Sequence, residues 1–339
     1  MRRGLSGPTR QAGTTDVCSA GMLWIRGASP VTSRSRPTDG LVTCERLKLV
    51  QGNVNCMTPG SGHKKSKIDV LARKLGRRSR QEPRGGQRTV LITGSGRGIG
   101  RATAEYFAAH GWKVGVFDID ADAVSWASGP EYVAGVIDVT SPGSWEQALA
   151  QFAEATGDRL DVLVNNAGIL YGMPFMEASF ARDSALADVN IKGVYFGARA
   201  AFGLLRQTPG AALVNVASAS AIYGTPEMAT YSSTKFAVRG ITEALDQEWA
   251  ADDIVVRSVW PLYVKTAMLD GVSTSGTSRQ GVNLTAEDVA RKVLTAATAT
   301  NPFAPVHYPV GLKTTLLYHG SHFAPSRVSR ALNSLLVGD

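Results

Sequence analysis

From residue 88 onward, short apolar runs alternate with longer segments whose apolar residues recur at helical spacing. Six runs rich in Val, Ile or Leu predict strands, at 89–93, 113–117, 132–137, 161–164, 212–216 and 254–259. Such continuous apolar runs are typical of strands that are buried on both faces of a parallel sheet. The alternation therefore predicts an α/β fold with a doubly wound parallel sheet of about seven strands.

The segments between the strands predict helices at 99–110, 144–155 and 184–206. Another helix is expected to begin at Thr225-Pro226, because Thr is a common N-cap and Pro fits the first helical turn. Residues Thr285 to Asp288 have the spacing of a capping box, with Asp in place of the usual Glu.

Residues 1–87 differ from the rest of the chain in charge and pattern. The first 88 residues carry 18 Lys and Arg against 5 Asp and Glu, whereas the remainder carries 18 against 23. No strand or helix period persists there, so we interpret 1–87 as a basic, disordered leader and 88–339 as a single domain. Two origins of the leader stay open: an organelle transit peptide, or an over-long gene start with initiation near Met57. We expect a cytoplasmic protein, with organelle targeting as the alternative.

The uneven charge limits the classes of partner. The basic residues between Lys64 and Arg80 would suit nucleic acid or anionic lipid, but a solvated tail explains them without any partner. The predicted domain is mildly acidic, and the sequence contains no 18-residue apolar stretch. We therefore expect a small-molecule substrate, no nucleic acid and no membrane span.

No metal site is expected. All three cysteines, Cys18, Cys44 and Cys56, lie in the leader, and the five histidines are scattered along the chain. Neither arrangement has the ligand spacing of a metal centre.

A glycine-rich segment joins the first predicted strand to the first predicted helix: Thr93, Gly94, Ser95, Gly96, Arg97, Gly98, Ile99 and Gly100. Glycines at this place let the backbone approach a pyrophosphate at the helix N-terminus, which predicts a Rossmann-type dinucleotide site. Asp118, at the end of the second strand, would bind both hydroxyls of the adenosine ribose and repel a 2′-phosphate. Arg97 would attract that phosphate, so the two signals conflict. We give Asp118 more weight and expect NAD, with NADP the alternative.

Tyr231 and Lys235 stand four residues apart, which places both on one face of a helix. Ser218 follows the strand predicted to end at Val216, and the carboxyl ends of parallel strands are where ligands bind. An unperturbed tyrosine titrates near 10, so a neighbouring cation is needed for base chemistry at neutral pH.

Four motifs in order resemble the short-chain dehydrogenase/reductase family over roughly residues 88–310. They are the glycine segment, Asn165-Asn166-Ala167-Gly168 after the fourth strand, Ser218, and the pair Tyr231 and Lys235. The resemblance implies an oxidoreductase that transfers hydride between NAD(P) and a carbonyl or secondary alcohol.

The resemblance also implies roles for single residues. Tyr231 would be the general acid and base, and Lys235 would lower its pKa and bind the nicotinamide ribose. Ser218 would hydrogen-bond the substrate oxygen, and Asn190 would bind water in a proton relay through the lysine. A non-catalytic dinucleotide sensor or scaffold is the alternative, but intact Ser218, Tyr231 and Lys235 favour the enzyme.

By the same resemblance the cofactor would contact a larger set of positions. These are Gly94, Ser95, Arg97, Gly98, Ile99, Gly100, Asp118, Asp138, Val139, Asn166, Ala167, Gly168, Tyr231, Lys235, Pro261, Val264 and Thr266. The family usually has Pro-Gly where this chain has Pro261-Leu262, which predicts a shifted backbone beside the nicotinamide.

The substrate lid is expected at about 268–284, together with C-terminal helices at 313–337. An apolar substrate pocket would use Tyr171, Met173, Phe175, Tyr223 and Met228. We expect a homo-oligomer, a tetramer or a dimer, assembled through the helices around Asn190 and Tyr231.

Overall fold

One sheet of seven strands organises the described part of the chain. The computed structural model describes residues 85–269, 281–301 and 303–323, with isolated positions at 274, 276, 278, 325, 327, 328, 331 and 334. The strands are β1 Thr89–Thr93, β2 Lys113–Asp118, β3 Tyr132–Val136, β4 Val162–Asn165, β5 Ala212–Val216, β6 Val255–Trp260 and β7 His307–Pro309. All pair in parallel, in the order β3-β2-β1-β4-β5-β6-β7. The predicted doubly wound Rossmann-type fold is confirmed; the predictions for residues 1–84 lie outside the described residues.

Helices cover both faces of this sheet. They are α1 Gly98–Ala109, α2 Pro142–Thr156, α3 Phe180–Ala187, α4 Gly193–Gln207, α5 Ala229–Glu248, α6 Ala286–Thr298 and α7 Leu312–Phe323. Val90 of β1 belongs to the apolar cluster that includes α1 and α6, whereas the adjacent Leu91 belongs to the cluster that includes α2 and α4. Since successive strand residues point to opposite faces, this explains why the strands are apolar throughout.

Two predicted helix boundaries differ from the structure. The helix expected from Thr225-Pro226 begins four residues later, at Ala229, because Glu227 adopts a left-handed backbone with φ 62°. The helix expected over 184–206 is interrupted at Asp188–Lys192 by a π-helical turn, which separates α3 from α4. The capping box at Thr285 and Asp288 is present, with both reciprocal hydrogen bonds.

The C-terminal part adds the short strand β7 and helix α7. About half of the expected lid over 268–284, and most of the expected helices beyond 323, lie outside the described residues. In the part of the chain that the structure covers, no helix is long and apolar enough to cross a membrane. The same part contains no group of three His, Cys, Asp or Glu side chains that would hold a metal ion.

Candidate active site at the carboxyl ends of the strands

The glycine segment forms a tight turn between β1 and α1. Gly94 and Gly98 have φ of 63° and 56°, which only glycine adopts without strain. A Cβ on Gly100 would lie 2.1 Å from the Gly94 carbonyl oxygen, so the backbone here is packed against itself. Arg97, the exposed N-cap of α1, makes no side-chain capping hydrogen bond. The first turn of α1, which includes Ile99, is therefore available to bind an anion.

Polar groups of the neighbouring strands hold this loop in place. The Ser95 hydroxyl donates to the Ile92 carbonyl at 2.9 Å and accepts from the Phe117 N–H at 2.8 Å. The Asn166 amide donates to the carbonyls of Thr93 and Gly94, both at 2.9 Å. Ser95 and Asn166, both expected to contact a cofactor, therefore use their side chains to shape the loop.

Asp118 and Arg97, whose charges favour different dinucleotides, both lie at this loop. One carboxylate oxygen of Asp118 accepts from the Gly96 N–H at 2.9 Å. A Cβ on Gly96 would lie 2.6 Å from the Ala123 Cβ and 3.0 Å from that Asp118 oxygen. The carboxylate is thus fixed against the loop, while the neighbouring Arg97 is exposed.

The remaining expected cofactor residues lie around the same edge of the sheet. A Cβ on Gly94 would lie 2.7 Å from the Ala167 Cα, and a Cβ on Gly98 would lie 3.4 Å from the Thr266 Cγ2. Thr266 thus faces the glycine loop.

Four more of the expected cofactor residues, Asp138, Val139, Pro261 and Val264, make hydrogen bonds that fix their positions. The carboxylate of Asp138 accepts from the Thr140 N–H at 2.9 Å, and the Val139 carbonyl accepts from the Trp145 Nε1 at 3.1 Å. The Pro261 carbonyl accepts from the Ala219 N–H at 2.8 Å, and Val264 pairs with Leu284 in a β-bridge.

Ser218, Tyr231 and Lys235 meet beyond the end of β5. The side chain of Ser218 interacts with the Tyr231 phenol. The Lys235 Nζ lies 5.6 Å from the centroid of the Tyr231 ring and donates to the Val216 carbonyl at 3.1 Å. A Cβ on Gly168 would lie 3.8 Å from the Lys235 Nζ, so the loop after β4 reaches the same place.

Burial controls the titration of this pair. Burial raises the pKa of Tyr231 to about 12, and the hydrogen bond with Ser218 opposes this shift. Burial also lowers the pKa of Lys235 to about 8. Desolvation is the largest influence on the pKa of Tyr231. At neutral pH the phenol therefore holds its proton and is suited to donate it.

The side chain of Asn190 is fully engaged with the protein. It is buried in the π-helical turn, where its Oδ1 accepts from the Ile169 N–H at 2.9 Å. Its Nδ2 donates to the Ile169 carbonyl at 2.9 Å and to the Thr234 Oγ1 at 3.2 Å. Asn190 therefore holds the loop after β4, with both ends of its side-chain amide bonded to the protein.

A small slot of about 20 Å³ opens beside Tyr231. Four of the five expected pocket residues line it, namely Tyr171, Met173, Phe175 and Met228; the fifth, Tyr223, is buried outside the lining. Its two walls are joined by a hydrogen bond of 2.7 Å from the Met173 N–H to the Glu227 carbonyl. A volume of this size holds about one water molecule.

The sequence analysis missed one residue at this slot, Arg182, and one beside Tyr231, Tyr263. Arg182 lines the slot, with its guanidinium 5.4 Å from the centroid of the Tyr171 ring. Burial raises the pKa of Tyr263 to about 12, and its phenol interacts with those of Tyr223 and Tyr231. The position of Tyr263, between Pro261 and Thr266, was the available signal.

Known dehydrogenases are similar to this chain in sequence. The family model for short chain dehydrogenase matches residues 88–275. A 3-alpha-(or 20-beta)-hydroxysteroid dehydrogenase of Mycobacterium tuberculosis is 35% identical over 190 residues, which cover 55% of this chain and 72% of that protein. An L-2,3-butanediol dehydrogenase of Corynebacterium glutamicum is 34% identical over 194 residues, or 55% of this chain and 75% of that protein.

Solved structures share the fold over most of their length. A 3-ketoacyl-(acyl-carrier-protein) reductase from Brucella melitensis, complexed with NADH, aligns with a TM-score of 0.62 and 26% identity, covering 66% of this chain and 96% of that one. A short chain dehydrogenase from Burkholderia cenocepacia, in complex with NADP, aligns with a TM-score of 0.64 and 25% identity, covering 75% and 98%.

Proposed function

This chain belongs to the short-chain dehydrogenase/reductase family, and on that premise we propose that it transfers hydride between NAD(H) and a carbonyl or secondary alcohol. The observation that carries the proposal is the half-buried Tyr231, whose pKa the Ser218 side chain lowers and which lies one helical turn from Lys235. Gly168, in the loop after β4, approaches Lys235, and the neighbouring Ala167 packs against Gly94 of the glycine segment.

The protein's own groups manage the proton. The bound dinucleotide would supply or accept the hydride. In reduction, Tyr231 donates its phenolic proton to the substrate oxygen, while the Ser218 hydroxyl hydrogen-bonds that oxygen. Lys235, when charged, stabilises the phenolate that remains. In oxidation, the phenolate removes the alcohol proton, so the same residues act in reverse.

The residues fit a dinucleotide, and NAD fits them better than NADP. The close packing at Gly94 and Gly100 excludes side chains from the turn, which leaves the N-terminus of α1 for the pyrophosphate. The fixed carboxylate of Asp118 would accept hydrogen bonds from ribose hydroxyls and repel a 2′-phosphate. One structural neighbour holds NADH and another NADP, so the preference for NAD rests on Asp118.

The slot favours a carbonyl that is flanked by apolar groups. Its lining is mainly aromatic and aliphatic, with Tyr171, Met173 and Phe175 on one wall. The names of the relatives include hydroxysteroid, diol and ketoacyl substrates. We take neutral, largely apolar ketones and secondary alcohols as the first substrates to test.

Assembly into a dimer or tetramer through the helices around Asn190 and Tyr231 is part of the proposal. The exposed Phe236 on α5 supports it, since a large apolar side chain on that helix face would be covered by a second copy. Light scattering after size-exclusion chromatography measures the mass directly.

The decisive experiment compares the wild type with Tyr231→Phe. Both proteins are titrated with NADH and NADPH by fluorescence, and both are then assayed with a panel of ketones and secondary alcohols. We expect both to bind NADH, with turnover by the wild type only. Binding without turnover by either would favour a dinucleotide sensor instead.

A further inference from the structure

Thr234 accepts a hydrogen bond from Asn190, and none of the family motifs assigns it a role. It lies on α5 between Tyr231 and Lys235 and is fully buried. Its hydroxyl donates to the Tyr231 carbonyl at 2.7 Å, and its Oγ1 accepts from the Asn190 Nδ2 at 3.2 Å. Asn190 therefore joins two elements, the loop at Ile169 and the helix that carries the proton donor.

The direction of these hydrogen bonds gives Thr234 a definite task. Because its hydroxyl hydrogen is used at the Tyr231 carbonyl, Thr234 presents only lone pairs to Asn190. It can thus bind the NH₂ end of the amide and not the oxygen. A flipped amide would place the Asn190 Oδ1 against the oxygens of both Ile169 and Thr234, which the structure avoids.

The loop that this contact holds faces Lys235. A Cβ on Gly168 would lie 3.2 Å from the Asn190 Oδ1 and 3.8 Å from the Lys235 Nζ. Movement of Asn190 would therefore move the backbone at Gly168 and Ile169 relative to the ammonium group. In the proposed function, this is the side of the site where the dinucleotide approaches Lys235.

We propose that Thr234 is a positioning residue, whose hydroxyl ties the Gly168–Ile169 loop through Asn190 to the helix that carries Tyr231 and Lys235. The proposal rests on the proposed function for its effect on turnover. Its effect on dinucleotide binding is measured separately.

The same helix provides a matched control. Thr242 is also fully buried, accepts from the Asn215 Nδ2 at 2.9 Å and donates back to the Val238 carbonyl at 2.6 Å. Both threonines thus join a buried asparagine to the backbone of α5. Thr242 lies about two turns beyond Lys235, and its hydroxyl bonds no residue that the proposal places against substrate or dinucleotide.

The test compares Thr234→Val, Thr234→Ser and Thr242→Val with the wild type. Valine keeps the shape of threonine and removes the hydroxyl, which leaves a buried amide hydrogen without an acceptor; serine keeps the hydroxyl. Four quantities are measured: the Kd for NADH by fluorescence, the KM for NADH, kcat with a ketone as substrate, and the melting temperature.

We expect Thr234→Val to raise the Kd for NADH and the dinucleotide KM about tenfold, with a smaller change in kcat. Thr234→Ser should stay within about threefold of the wild type. Thr242→Val should lower the melting temperature as much as Thr234→Val and leave the Kd within about twofold. Wild-type NADH affinity in Thr234→Val, or an equal loss in Thr242→Val, would overturn the proposal. If no protein reduces any carbonyl while the affinities follow this pattern, the proposed function fails and the positioning role stands.

Discussion

The Nε2 of His307 lies 2.9 Å from the Oε1 of Glu243, and this hydrogen bond joins the edge strand β7 to the helix α5. The Nδ1 of His307 lies 2.8 Å from the Ser258 Oγ, which also accepts from the Trp260 Nε1 at 2.6 Å. Because a carboxylate only accepts, the neutral ring carries its proton on Nε2, and the Ser258 hydroxyl donates to Nδ1. Protonation of His307 would disrupt the hydrogen bond with Ser258, since Nδ1 would then also be a donor.

We predict that this pair makes stability depend on pH. Burial lowers the pKa of His307 from its ordinary 6.5; Arg239 lowers it further, while Glu243 and Asp246 oppose the shift. A group whose folded pKa is depressed contributes stability above the unfolded pKa and loses it as pH falls through the folded pKa. The urea midpoint should therefore fall as the pH drops below about 6.5.

His307→Gln should flatten that part of the curve, because glutamine does not titrate there. His110, whose ring is exposed and bonds the Tyr106 carbonyl, provides the control. His110→Gln should keep the wild-type slope. An unchanged slope in His307→Gln would show that other groups cause the pH dependence.

The high pKa of Tyr231 predicts different pH profiles for the two directions of the reaction. With a pKa of about 12, the phenol keeps its proton through neutral pH, so the rate of carbonyl reduction should be flat there. The rate of alcohol oxidation should rise into the alkaline range, as the phenolate becomes populated. Initial rates in both directions between about pH 6 and 10 check this prediction.

Ser218→Ala tests the origin of that profile. It removes the hydrogen bond that lowers the pKa of Tyr231, so the oxidation limb should move to higher pH and kcat should fall about 10- to 100-fold. If the oxidation rate of Ser218→Ala rises over the same pH range as that of the wild type, a group other than Tyr231 causes the pH dependence.

Two glycine substitutions separate close packing from helix propensity. A Cβ on Gly100 would meet the Gly94 carbonyl, whereas a Cβ on Gly203 in α4 has nothing within 4 Å. Gly100→Ala should therefore weaken NADH binding at least about tenfold and lower the melting temperature. Gly203→Ala should stabilise the protein by about 0.5–1 kcal/mol and leave NADH binding unchanged. Calorimetry and NADH titration of both variants provide the measurement, and normal binding by Gly100→Ala would contradict it.

Asp118 should determine the preference between dinucleotides. The wild type is expected to bind NADH more tightly than NADPH, and Asp118→Ser should reduce this preference about tenfold by removing the charge that repels a 2′-phosphate. Arg97→Ala should increase the preference instead, since it removes the competing attraction. Tighter binding of NADPH by the wild type would reverse our assignment.

The sheet and the glycine turn were predictable from sequence because local pattern and tertiary environment agree there. Val90 and Leu91 are apolar since each is covered by a helix layer, and the run itself carries that information. The grouping of Ser218, Tyr231 and Lys235 was also predictable, because the strand end and the helical spacing fix where they lie.

Other features depend on contacts between distant residues. The signal at Thr225-Pro226 is a valid local start of a helix, but the Thr225 N–H bonds the Ser232 hydroxyl at 3.1 Å and the turn folds back on α5. The π-helical turn depends on the hydrogen bond between Asn190 and Ile169, 21 residues away. The spacing of apolar residues along a helix does not reveal such a distant contact. The strand β7 is three residues long and too short for a pattern.

The π-helical turn also decides which changes of length the chain tolerates. A π-helical turn holds about one residue more than an α-helical turn, so removing one residue other than Asn190 from Asp188–Lys192 would restore an ordinary helix in which α4 keeps its orientation. Ala198 and Leu205 would still face the sheet. Removing one residue from α4 itself would instead turn the side chains beyond the deletion by about 100°, away from the sheet. A single-residue deletion should therefore be tolerated better in this turn than in α4.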